Sequence, residues 1–148
     1  MHLQYKNTKQ NIQAVQKRAR HVAPHLHNTL ELVYVTEGTL ELGVGQELYH
    51  LETGDMGIIF PDIIHHYQVF GADAHKIYLV NIAAGSIGSF GEELQKYAPV
   101  MPVIKRSELG EEVIHALYRM MLTRNGSHDS ASVFTDRACK MCTAFGSG

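Results

Sequence analysis

The residues able to do chemistry gather in one short run, His25-Leu26-His27-Asn28-Thr29-Leu30-Glu31. His25, His27 and Glu31 share parity, so an extended strand would project all three from one face. A second block, Gly54-Asp55-Met56-Gly57-Ile58-Ile59-Phe60-Pro61-Asp62-Ile63-Ile64-His65-His66, adds a turn, a strand and a late histidine. Two imidazoles, a carboxylate and a third imidazole from a neighbouring strand suit a divalent metal such as Zn, Ni, Mn or Fe. The same groups can instead line a polar pocket, hydrogen-bonding one another or a ligand. His66 has the opposite parity to His65 and is expected to point away.

Other chemistries find little footing. Cys139 and Cys142 have the spacing of half a zinc site, but no second pair accompanies them, and buried helix thiols are common. No Gly-rich phosphate loop and no Ser-based nucleophile motif is present. A formal net charge of -2 gives no whole-chain attraction to nucleic acid. No apolar run approaches the roughly 20 residues that span a bilayer, and the N-terminus lacks the apolar core of a signal peptide. The expected location is the cytoplasm, with no membrane partner.

At 148 residues the chain is one domain in length, enough to bury about 70% of its unfolded surface. Turn signals arrive at short intervals: Glu37-Gly38, Gly43-Val44-Gly45, Thr53-Gly54-Asp55, Pro61-Asp62 and Gly71-Ala72-Asp73. Between them lie Leu30 to Val35, Leu40 to Val44, Glu47 to Leu51, Met56 to Phe60, His65 to Phe70 and His75 to Asn81. Short segments rich in β-branched and aromatic residues predict a β-sandwich or barrel. Leu30 to Val35 is apolar on both faces, so something outside the barrel must cover it. Residues 12 to 22 alternate loosely and then turn basic at Lys17, Arg18 and Arg20. They read as a charged edge strand, or as an arm that turns Arg18 or Arg20 toward a ligand.

After Ala84 the period changes. A short helix is predicted from Ser86 to Tyr97. A longer one is capped by Ser107 and carries Leu109, Val113, Leu117, Met120 and Met121 as an apolar stripe. A last helix is predicted from about Ser130 to Phe145.

The two blocks resemble the signature motifs of the cupin superfamily. His25, His27, Glu31 and Gly38 keep the first motif's spacing, with Ala19 in place of its leading glycine. Gly54, Asp55 and His65 keep the second, but Phe60 replaces its usual proline, Asp62 its glycine and Val69 its closing asparagine. The phrases Glu31-Leu32-Val33-Tyr34-Val35-Thr36-Glu37-Gly38 and Gly54-Asp55 followed by an apolar run, Pro61 and His65 are similar to the N-terminal domain of AraC-type transcription regulators. The resemblance implies a mainly β fold, a cupin-type double-stranded β-helix or jelly-roll barrel, followed by C-terminal α-helices. Residues 1–84 would form the arm and barrel, and 85–148 a helical dimerisation segment packed on it.

The resemblance also implies a small polar effector, a sugar or other metabolite. Arg18, Arg20, His25, His27, Glu31, Tyr34, His65 and Tyr67 are its candidate contacts, and His25, His27, Glu31 and His65 the metal ligands. A homodimer through the C-terminal helices is expected. So is a chain that does not bind DNA by itself, because it ends at Gly148 before any helix-turn-helix pair. The rival is a stand-alone metal-dependent cupin enzyme, an isomerase or dioxygenase, with Glu37, Tyr34 or Tyr67 as acid or base.

Overall fold

A computed structural model describes residues 4–6, 12–83 and 101–123. Ten strands run in chain order: β1 Gln4–Lys6, β2 Ile12–Arg18, β3 Val22–His27, β4 Thr29–Glu37, β5 Leu40–Val44, β6 Glu47–Leu51, β7 Met56–Ile59, β8 His65–Gln68, β9 Lys76–Ala83 and β10 Val103–Ile104. A 3-10 turn at Arg106–Glu108 leads to one helix, α1, Glu111–Thr123. The strands form two five-stranded sheets, β1-β3-β8-β5-β6 and β10-β7-β4-β9-β2. All pairings are antiparallel except that of β1 with β3. This is the expected double-stranded β-helix. Neither the 86–97 helix nor the 130–145 helix, with Cys139 and Cys142, falls within the described residues.

Alternation along β4 builds two cores. Val33 and Val35 turn inward and meet Leu40, Leu42 and Leu51 of the facing sheet, with Tyr67 beside them. Leu30 and Leu32 turn outward, where Met56, Ile58, Phe60, Val80 and Ile82 join them. That outer layer is closed by Leu109, Val113, Ala116 and Leu117, so α1 is the cover that a doubly apolar strand requires. Leu30 and Leu32 are at most 1% exposed, and burial of each contributes about 1.5–3 kcal/mol.

Two details of this layer depart from the sequence reading. The helix begins at Glu111, not after Ser107. Residues 106–108 make a 3-10 turn, and Gly110 then supplies the carbonyl that receives the Val113 N–H. Leu109 therefore packs ahead of the helix. Second, the region beyond 84 also contributes a strand, since Val103 and Ile104 pair with Gly57 and Met56 along the β7 edge.

The Gly54-Asp55 pair holds this return segment in place. Asp55 is 3% exposed. Its Oδ2 accepts from Glu52 N at 2.9 Å and Lys105 Nζ at 3.2 Å, and its Oδ1 accepts from Arg106 N at 2.8 Å. Gly54 has φ 94°, and a Cβ there would lie 2.7 Å from Arg106 Cδ. Burial alone would raise the Asp55 carboxyl, but the two backbone N–H groups and the Lys105 ammonium hold it below its ordinary value. Asp55→Ala strands both N–H groups and is expected to cost about 2 kcal/mol. A urea midpoint unchanged by the substitution would remove this account. Since the folded value is the lower one, the contribution is complete above the ordinary Asp range and is lost as pH falls through the lowered value.

Candidate functional site

His25, His27 and Glu31 do not share one strand. The chain bends at Asn28, so the two histidines end β3 in one sheet while Glu31 sits in β4 of the other. Parity survives the corner, and all three side chains still face the interior. His65 arrives on β8 directly opposite His25. The His25 and His65 rings lie 4.2 Å apart between centroids, and His27 lies 4.8 Å from His65. One ring nitrogen from each of the three falls within 4.8 Å of the others.

The outer nitrogen of every ring is tied down. His25 Nδ1 donates to Ala23 O at 2.9 Å, and His65 Nδ1 to Ile63 O at 2.9 Å. Thr29 donates its only hydroxyl proton to Asn81 Oδ1 at 2.7 Å, so His27 Nδ1, 2.9 Å from Thr29 Oγ1, must be the donor there. These bonds fix each tautomer and leave Nε2 as the inner nitrogen. Thr29 shares the parity of the site residues, and Asn81 is the register partner of Glu31. Neither was singled out from the sequence. Parity could have found Thr29, whereas Asn81 needed the pairing of β4 with β9.

Glu31 completes the cluster at 3% exposure. Its Oε1 lies 3.2 Å from His27 Nε2 and its Oε2 lies 3.0 Å from His65 Nε2. The Tyr67 hydroxyl also donates to Oε2 in a short hydrogen bond. Burial would raise Glu31, yet the two imidazoles hold it well below the usual carboxylate range. Burial, with the adjacent Glu31 charge, drives Tyr67 well up, so it remains a phenol donor. Burial also lowers His25, only partly offset by the Ala23 carbonyl, which favours its neutral form. His65 Nε2 is buried and makes no hydrogen bond despite its proximity to Glu31.

Bare nitrogen lone pairs facing a carboxylate repel, so a positive charge, a proton or a cation, belongs between them. Three imidazole Nε2 atoms beside one carboxylate are a donor set that fits a divalent metal.

The second motif's departures acquire a physical reason. Asp62 takes the usual glycine's place and its conformation too, with φ 63°, the sole non-glycine positive φ among the described residues. Its N–H donates to His27 O at 2.8 Å, which helps set the end of β3. A side chain in this region is strained, less so for Asp than for most residues. Asp62→Gly is therefore expected to raise the unfolding free energy by about 0.5–1 kcal/mol, and Asp62→Val to lower it by at least as much. Equal denaturation midpoints for the two variants would contradict this. Phe60, in place of the usual proline, fills the outer core. His66 points outward as expected and lies flat on Gly43, where a Cβ would fall 1.8 Å from its Cε1.

The cluster floors a cavity of about 220 Å³ lined by His25, His27, Glu31, Tyr67, Asn81 and Lys17, among others. A second cavity of about 440 Å³ adjoins it, sharing Lys17, Val22 and Tyr67 and adding Arg18 and Arg20. The structure thus brings Arg18, Arg20, His25, His27, Glu31 and Tyr67 to two neighbouring cavities, while His65 is fully buried and lines neither. Lys17 belongs there too, although the sequence reading gave it no site role. Tyr34 does not. It lies on the opposite face of β4, packed on the outer core near Tyr78, because its parity is even.

The family described as AraC-like ligand binding domain matches residues 12–134. No curated protein matches the chain. Among solved structures, ToxT from Vibrio cholerae O395, bound to (E)-4-(8-methylnaphthalen-1-yl)but-3-enoic acid, superposes with a TM-score of 0.62 at 12% identity, over 92% of this chain and 58% of its own. A cupin-2 domain containing protein from Shewanella frigidimarina gives 0.45 at 23% identity over 49% of this chain and 71% of its own. A double-stranded β-helix protein from Klebsiella pneumoniae gives 0.46 at 23% identity over 50% and 65%.

Proposed function

We propose that this chain, which belongs to the family of AraC-like ligand binding domains, is the effector-sensing part of a bacterial transcription regulator. The observation that carries the reading is a pair of neighbouring cavities, one lined by Lys17, Arg18 and Arg20 and the other by His25, His27 and Glu31 of the buried cluster. A small polar metabolite binds there. A switch requires different affinities for two arrangements of the protein, and β2 offers the connection. Its Gln13 and Lys17 line the inner cavity, while Ile12 and Ala14 pack on the same outer core as α1. A ligand that draws on the inner face of β2 therefore shifts the surface on which the helix rests.

The finer points of the reading are these. His25, His27, His65 and Glu31 would hold a divalent metal, which would supply a Lewis acid to the site. Residues 1–84 carry the sensor, and 85–148 the segment through which two copies pair. DNA is bound by another part of the regulator, in the cytoplasm. Support for pairing is that α1 buries Val113, Ala116 and Leu117 yet leaves Tyr118 46% exposed. A monomeric mass in sedimentation equilibrium would remove that point. Among the described residues no helix is long and apolar enough to cross a membrane.

The test is a melting-midpoint screen of polar metabolites against the chain. One chemical class should raise the midpoint, and Tyr67→Phe should weaken the response. Chemical conversion of the bound compound would replace the sensor with a metal-dependent cupin isomerase or dioxygenase. Tight, sequence-selective DNA binding by these residues alone would contradict the placement of DNA recognition elsewhere.

A further inference from the structure

We infer that the effector is an organic anion, a carboxylate or phosphate on a compact apolar body, with its charged group held by Lys17, Arg18 and Arg20. The inference deepens the sensor reading and rests on it. Acidic residues outnumber basic ones in the chain, 15 to 13, so a concentration of cations is a local feature and not a by-product of composition. The larger cavity is lined by Lys17, Arg18, Arg20 and His21 and by no acidic side chain. The ion pairs of lysine among the described residues are Lys76 with Glu37 and Lys105 with Asp55, and neither involves the rim. Among the described residues the three exposed cations that line this cavity have no carboxylate partner, which leaves a positive field that an anion completes.

Position separates this from ordinary edge-strand charge. Lys17 is the register partner of Ile77 of the inner core, and it lines both cavities. Charge placed only to discourage strand pairing has no need to face inward. Below the rim the wall is apolar, formed by Val22, Leu40 and Ile77, which suits a hydrocarbon body better than a polyol. Guanidinium groups also favour planar two-oxygen acceptors, a geometry that carboxylate and phosphate both offer.

Four probes separate the possibilities by calorimetric titration: benzoate, phenyl phosphate, the uncharged benzyl alcohol, and arabinose as a neutral polyol. Benzoate or phenyl phosphate should bind at least about tenfold more tightly than benzyl alcohol, the worth of one charge-assisted contact. Whichever of the two prevails identifies the anion. The triple variant Lys17→Gln, Arg18→Gln, Arg20→Gln should abolish that preference and leave the melting midpoint of the ligand-free protein in place. Should that midpoint fall, Arg20→Gln alone must still narrow the preference, since Arg20 lies outside the strand ladder. Equal binding of charged and uncharged aromatics, no binding by either anion, or a preference that survives the variants overturns the inference. Arabinose binding alone would overturn it and leave the sensor reading standing.

Discussion

Glu31→Ala is expected to lower the unfolding free energy by about 3–5 kcal/mol, the cost of breaking a buried charged pair from one side. Glu31 receives the Tyr67 hydroxyl and faces Nε2 of both His27 and His65, all at less than a tenth exposure. Removing the carboxylate leaves a buried phenol without an acceptor and takes away the counter-charge of the proton or cation that belongs between Glu31 and the imidazoles. Glu31→Gln keeps an acceptor for Tyr67 and adds donors toward the imidazole lone pairs, so it should cost much less. Urea denaturation of the three proteins supplies the comparison. If alanine and glutamine variants unfold at the same midpoint, the carboxylate charge is not what holds the cluster.

The contrast between the two variants also shows where the sequence was informative. Parity is conserved through a sharp corner, and that is why His25, His27 and Glu31 could be grouped correctly although they belong to different sheets. The bend at Asn28 was illegible because it carries no glycine or proline and interrupts no alternation. Likewise the doubly apolar β4 announced a cover, and α1 supplies it, but the helix start was misplaced. Ser107 has cap chemistry, yet Gly110 and the 3-10 turn before it set the true boundary. Motif matching lost two further points. A glycine replaced by Asp62 looked like a broken signature, whereas the backbone has kept the glycine's conformation at the cost of strain. The hydrogen-bond relay from His27 through Thr29 to Asn81 depends on a register between residues 52 apart, which no local pattern encodes.

Metal addition is the second large effect expected. A divalent ion at about a hundred times its dissociation constant stabilises the folded chain by roughly 2.7 kcal/mol. For a domain of this size that raises the melting midpoint by about 5 to 10 °C. Zinc, nickel and manganese can each be tried, with a chelator reversing the shift. His25→Gln, at the most accessible ligand (9% exposed), should abolish it.

The increment must depend on pH in one direction. Each Nε2 has to be a free lone pair, so protons compete and the stabilisation fades as pH falls. Apo stability moves the same way for a separate reason. His25 is held below its ordinary value by burial, so the unfolded chain binds more protons just below that value and stability falls with acid. Glu31 adds a later loss, below its ordinary 4.5, because its folded value is the lower one. Scanning calorimetry at about pH 7.5 and about pH 5.5 separates the first two effects, since only the metal increment vanishes with chelator. No shift with any of the three ions, and no metal in the purified chain by elemental analysis, would remove the metal. The inner cluster would then hold a proton where the cation was expected, and the imidazoles would serve the effector directly as donors.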